Sequence, residues 1–200
     1  MAVPVNKVQW GVPRWEPDSL SRLQEAALEL FRERGYDDTT VVEISRRAGL
    51  TERTFFRYFA DKREVLFAGA KALQDFLVSA VFNAPEGLVP IDLVATSLES
   101  LGDFFSKDRR EYAQLRQAII VANPELQERE LIKLATLAGA IANTLRERKV
   151  KEPVATLTAE LEVVVFKTAF ERWVEESNRK HFAQLVRMTI ADISTLTAGD

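Results

Sequence analysis

Gly49 and Leu50 are all that separate one short helical pattern from the next, and that brevity constrains the fold more than any other feature of the chain. On the near side, Thr40 and Glu43 have the spacing of a capping box, in which the threonine oxygen accepts from an early amide and the glutamate answers the cap's own N–H. Val41, Ile44 and Ala48 recur on one side before Gly49 stops the helix. On the far side, Thr51 can cap a helix through TERTFFRYF, and Asp61 with Glu64 repeats the capping-box spacing at the head of a fourth, longer helix. A first helix over residues 18–34 carries Leu20, Leu23, Ala27, Leu30 and Phe31 at three- and four-residue intervals and stops at Gly35. Two short helices joined at a glycine, framed by two longer ones, have the organisation of a helix-turn-helix unit.

A helix as short as the third cannot stand alone, so its large aromatic residues must hold it to a neighbour. Phe55 and Phe59 lie four apart on one face with Phe56 beside them, and these three are the expected anchors. Thr51, Arg53, Thr54, Arg57 and Tyr58 spread over sides that a nucleic-acid groove or backbone could approach. Between Thr40 and Leu66 six basic residues face four acidic ones, a local positive excess inside a chain of net charge -3. The bland counterpart is a solvated surface whose arginines pair with nearby acids. Lys62 stands near the start of the fourth helix, where its ammonium and the helix-terminal amides can address one phosphate.

Residues 31–67, FRERGYDDTTVVEISRRAGLTERTFFRYFADKREVLF, closely resemble the DNA-binding signature of TetR-family transcriptional regulators. The resemblance implies that the second and third helices form the helix-turn-helix and that the third reads double-stranded operator DNA. It implies phosphate contacts at Thr40 and Lys62, and base or adjacent backbone contacts at Thr51, Arg53 and Thr54. This chain departs from the pattern twice. Phe56 stands where many members have a phosphate-binding tyrosine, and Tyr58 where histidine is frequent.

The expected fold class is all-α with about nine helices: an irregular arm over 1–17, the DNA-binding domain over 18–67, and a helical ligand-binding and dimerisation domain over 68–200. Helix starts are cued by Pro90, by Asp108 with Glu111, by Asn123-Pro124, by Pro153, and by Asn178 as cap of the last. On the penultimate helix Leu157, Leu161, Val164, Thr168 and Arg172 define a stripe, widened by Val163, Phe166, Phe170 and Trp173. Phe182, Leu185, Val186, Thr189, Ile190, Ile193 and Leu196 repeat along the final helix. Helices this broadly apolar need more than one partner surface, and a monomer core competes with a homodimer for them. The dimer candidates are Leu161, Phe166, Phe170, Trp173, Phe182, Leu185, Thr189 and Ile193. A two-fold pair of recognition helices favours the dimer, and the resemblance points to the same two helices. Arg116 and Arg146 are candidate polar anchors at the rim of an apolar effector cavity, and a weaker resemblance to responders to fatty-acyl ligands implies an acyl-type effector.

Without cysteine there is no disulfide framework or thiolate metal site, and no glycine-rich phosphate loop or HExxH spacing occurs. The single histidine, His181, has no nameable nucleophile partner. The expectation is therefore no enzyme, no cofactor and no metal, with a helical protein-binding adaptor as the alternative to the DNA-binding regulator. No signal-peptide run opens the chain, and charge interrupts its apolar stretches, so a soluble cytoplasmic protein without a membrane segment is expected. The effector, the operator, the choice between repressor and activator, and the order of the arm are left open at this level.

Overall fold

A computed structural model describes residues 19–197, so the arm over 1–17, with Trp10 and Trp15, lies outside the described residues. These residues form nine α-helices and two short 3-10 turns. The chain divides into two compact units between Val65 and Leu66.

In the first unit α1 (Ser19–Arg34) buries Leu23, Ala27, Leu30 and Phe31 of the stripe that the spacing predicts, with Ala26 and Leu28 beside them, while Leu20 is half-buried. Against it pack α2 (Val41–Arg47) and α3 (Glu52–Tyr58). The turn between them depends on Gly49, which adopts φ +65. Its N–H donates to Arg46 O at 3.0 Å and that of Leu50 to Ser45 O at 2.8 Å, which satisfies carbonyls left open at the helix end. A side chain at this position would face the left-handed penalty and would also put its Cβ 2.7 Å from the Arg22 guanidinium.

The fourth helix begins later than the capping pattern predicts. Asp61 Oδ1 does accept from the amides of Arg63 (2.8 Å) and Glu64 (3.3 Å), but the turn it caps is a 3-10 segment, Arg63–Phe67. The helix proper, α4 (Ala70–Asn83), starts only after Gly69, a poor helix former. The span Arg63–Asn83 has a mean hydropathy of 1.5 and is long and apolar enough by composition to cross a bilayer, contrary to the expectation from charge spacing. Within it, Leu77 and Val81 of α4 are fully buried in the protein's own core.

The second unit continues with α5 (Pro90–Glu99), a 3-10 turn (Ser100–Asp103), α6 (Lys107–Ala122), α7 (Pro124–Glu147), α8 (Val154–Val174) and α9 (Phe182–Thr197). The longest helix, α7, packs on α4, α6 and α8, while α5 and α9 pack on each other and on α8. Phe105 joins the core through rings, stacking on Phe182 at 4.1 Å and meeting Trp173 edge-on at 5.1 Å. Ser106, not an acid, occupies the N-cap position of α6. Nor does Asn178 cap α9. Its side-chain amide donates back to Trp173 O of α8 and accepts from the Lys180 amide, while the backbone N–H of His181 donates to Gln184 Oε1 and the His181 carbonyl accepts from the amides of Gln184 and Leu185. Arg148, just past α7, donates to the carbonyls of Val81, Phe82, Ala84 and Pro85, closing the end of α4 with a cation where the helix dipole is negative.

Candidate nucleic-acid interface

The short α3 is held from beneath by two rings. Phe55 is 0% and Phe59 4% exposed, and their centroids are 5.3 Å apart. Phe56 is not an anchor: one residue further round a helix of 3.6 residues per turn it points away from that seat and is 55% exposed. The outward face of α3 therefore presents Arg53, Phe56, Arg57 and Tyr58, with Thr54 half-buried at its edge.

These side chains differ in what is left for a ligand. Thr51 accepts from the Thr54 amide at 3.2 Å, and the two hydroxyls share a hydrogen bond of 3.0 Å. Thr40 is closed into its capping box. It accepts from the Glu43 amide at 3.3 Å, donates its hydroxyl to Glu43 Oε2 at 2.9 Å, and its own amide reaches the same oxygen at 3.0 Å. Those bonds from Thr40, with the Arg34 guanidinium 2.7 Å away, hold the Glu43 carboxyl below the usual carboxylate range. Arg57 donates to the Tyr58 hydroxyl at 2.9 Å and lies over its ring at 4.8 Å. Arg53 is exposed and has neither a hydrogen bond nor an ion pair among the described residues, and the same is true of Arg46 on the last turn of α2. In the sequence Arg46 counted only toward the local charge balance. Its neighbour Arg47 is committed to Glu29 and Glu33 of α1, and Arg63 to Asp61. The positive excess is thus carried by a few free arginines.

Lys62 donates to the carbonyls of Tyr36 (2.7 Å), Asp37 (3.2 Å) and Thr39 (3.1 Å), and its ammonium lies 4.2 Å from the Tyr36 ring centroid. In the second unit Arg116 is likewise engaged. Its Nε donates to Leu66 O at 2.6 Å, Glu130 is 3.4 Å away, and burial lowers its pKa while Glu130 acts in the other direction. Arg146 bridges Glu152, Asn143 and Thr156. Neither arginine is a bare cation at a cavity rim.

Of the dimer candidates, Phe166, Trp173, Phe182, Leu185 and Thr189 are buried within the second unit itself, because α9 and the Phe105 ring already cover that side of α8. Leu161, Phe170 and Ile193 are half-buried, and Phe170 sits 5.8 Å from Phe105. The large apolar residues left outside are Val154 (42% exposed), Leu157 (63%) and Val164 (53%) on α8, with Met188 and Leu196 on α9. No sequence signal marks Glu162 of α8, which is fully buried, with Ser97 Oγ of α5 2.7 Å from its Oε1 and no partner for its Oε2 among the described residues. Burial pushes its carboxyl up to about 8, the Ser97 hydrogen bond acting in the other direction.

Residues 23–68, which contain the whole of the α2–α3 constellation and most of α1, match the family model of bacterial regulatory proteins, tetR family. Residues 23–68 form a TetR-family DNA-binding domain. Among curated TetR-type relatives, the chain is 24% identical over 159 residues to MftR of Mycobacterium tuberculosis, by its name a regulator of mycofactocin biosynthesis, covering 78% of this chain and 80% of that protein. It is 34% identical over 80 residues to the HTH-type transcriptional regulator TcmR of Streptomyces glaucescens, where the match spans 40% of this chain and only about a third (35%) of the relative. In fold it is similar to FadR of Bacillus subtilis in complex with stearoyl-CoA, with a TM-score of 0.53 and 20% identity over 86% of this chain and 95% of that one. The tetR-family match spans α2, the Gly49 turn and α3, which make up the helix-turn-helix.

Proposed function

We propose that the chain is a cytoplasmic, ligand-responsive repressor that binds a palindromic operator as a homodimer through α3. The observation that carries this reading is the outward face of α3, where an unpaired Arg53 stands beside the exposed Phe56, Arg57 and Tyr58 on a helix pinned by Phe55 and Phe59. Arginine is the side chain best suited to the two acceptors of guanine in the major groove, and Thr54 supplies a shorter polar or methyl contact. Thr40 and Thr51 serve chiefly by fixing the two helix starts, with phosphates near them.

One such face covers too little DNA for strong specificity. Two related by a two-fold axis read major grooves about 34–36 Å apart. The exposed Leu157 and Val164 on α8, flanked by the half-buried Leu161 and Thr168 and continued by the exposed Met188 and Leu196 and the half-buried Ile193 on α9, support a pairing of these helices across subunits. The effector is a small, largely apolar molecule. The stearoyl-CoA held by a protein of similar fold supports an acyl type, and an operator-bound form opposes effector binding by the same coupling free energy with which the effector opposes the operator.

The test begins with selection from a random duplex library, followed by binding at several salt concentrations. The expected result is a palindrome bound by two subunits, with affinity that falls steeply as salt rises. Mass spectrometry of gently purified protein then looks for a retained molecule that lowers operator affinity when added back. A chain that ignores every duplex and instead captures an acidic protein is the adaptor, and one that binds tightly as a single 22.6 kDa subunit is not the proposed dimer.

A further inference from the structure

The loop between α1 and α2 closes round a cation that belongs to the protein. Thr39 is buried, its amide donates to Tyr36 O at 3.3 Å and its hydroxyl to Gly35 O at 2.8 Å, so the loop folds back with the carbonyls of Tyr36, Asp37 and Thr39 converging on one point. Three convergent carbonyl oxygens repel one another unless a positive donor sits among them. Lys62, four residues beyond the last of α3, supplies it, and an ammonium has three protons for three acceptors. The buried Tyr36 ring covers the remaining side at 4.2 Å. Thr40, the N-cap of α2, follows directly on the held Thr39 carbonyl, so this ammonium ties the start of α2 to the chain leaving α3.

We propose that Lys62 is a positioning residue of the DNA-reading module, which sets the α1–α2 loop from inside and has no N–H left for a phosphate. The inference rests on the regulator reading of this unit, but it assigns the lysine a different task from the phosphate contact that family resemblance implies. To reach a phosphate, the ammonium would have to give up at least one of these three carbonyls.

The chain has no cysteine, so Lys62→Cys introduces a single thiol. Alkylation with bromoethylamine then rebuilds a side chain of lysine length with its ammonium, and ethylation gives an uncharged control. In protein without DNA, amide hydrogen exchange at Thr39 and Ile44 is expected to quicken about tenfold or more in the thiol and ethylated forms and to return to within about twofold of the unmodified chain after aminoethylation. A variant whose first unit folds only after aminoethylation supports the proposal equally, since a lysine serving DNA alone is dispensable for folding. On a duplex selected by the unmodified chain, the thiol form is expected to bind about tenfold more weakly at every salt concentration, with a parallel plot of log affinity against log salt. A phosphate ligand would instead lower that slope by about 0.9 for each subunit, about 1.8 for the dimer on its operator. Exchange that does not change on substitution overturns the proposal, and so does a slope reduced by about 1.8. If the unmodified chain selects no duplex, the regulator reading fails, while the exchange measurement still decides what Lys62 does in the loop.

Discussion

Replacing Glu162 by glutamine isolates the contribution of one buried carboxyl to the second unit. In the folded protein this group titrates near 8, whereas in the unfolded chain it returns to its ordinary value of 4.5. The folded pKa is the higher, so the neutral acid carries no penalty at low pH. Stability then falls as the unfolded carboxylate ionises above 4.5, and the loss is complete once pH passes the folded value. At about 1.4 kcal/mol per pH unit the full interval amounts to about 5 kcal/mol, of which about 3 kcal/mol is already lost at pH 7. These are upper figures for a site that admits no water. Ser97 Oγ donates to Glu162 Oε1 at 2.7 Å but also lies 3.1 Å from Val94 O, and Glu162 Oε2 has no partner among the described residues, so little solvates the charged form. The assay is urea unfolding of the unmodified chain and Glu162→Gln from pH 5 to pH 9. The variant is expected to gain relative to the unmodified chain as pH rises, the difference opening by about 3 to 5 kcal/mol over the range. Any cost of the amide's extra N–H is the same at every pH and shifts the curve without tilting it. Parallel pH curves would refute the reasoning and mean that water or an unrecognised donor solvates the carboxylate.

Further outcomes separate the roles of neighbouring residues. Phe55→Ala is expected to cost about 3–5 kcal/mol of first-unit stability, because it empties the seat of α3, whereas Phe56→Ala changes stability by no more than about 0.5 kcal/mol; thermal melts of the pair check this. Arg53→Ala is expected to relax base preference at one symmetric pair of operator positions at a cost of about 1–3 kcal/mol, read by repeating the duplex selection. Val164→Asp is expected to leave circular dichroism unchanged, give single subunits in sedimentation and weaken operator binding at least tenfold, while Phe166→Asp unfolds the second unit, since its ring is only 7% exposed.

The helix-turn-helix was legible in the sequence because its determinants act over three or four residues, a distance that chain geometry itself fixes. Thr40 and Glu43, Gly49, and Phe55 with Phe59 each express their structure within about one helical turn. Asp61 shows the limit of such signals: it caps a turn as its spacing promises, and the turn is 3-10 and does not grow into α4. What only the tertiary structure decided is which of several similar groups remain available. Arg47 finds Glu33 across 14 positions, Lys62 finds Tyr36 O across 26, and Ser97 meets Glu162 across 65, and none of these separations has a periodicity that marks the pair. The same holds for α8, whose mean apolar character runs right round the helix, so that the division into a face buried under α9 and a face left outside at Leu157 and Val164 depends on where its neighbours pack. A local cap needs only its own turn, whereas the pairing of a long side chain and the covering of an apolar face are settled when distant segments meet.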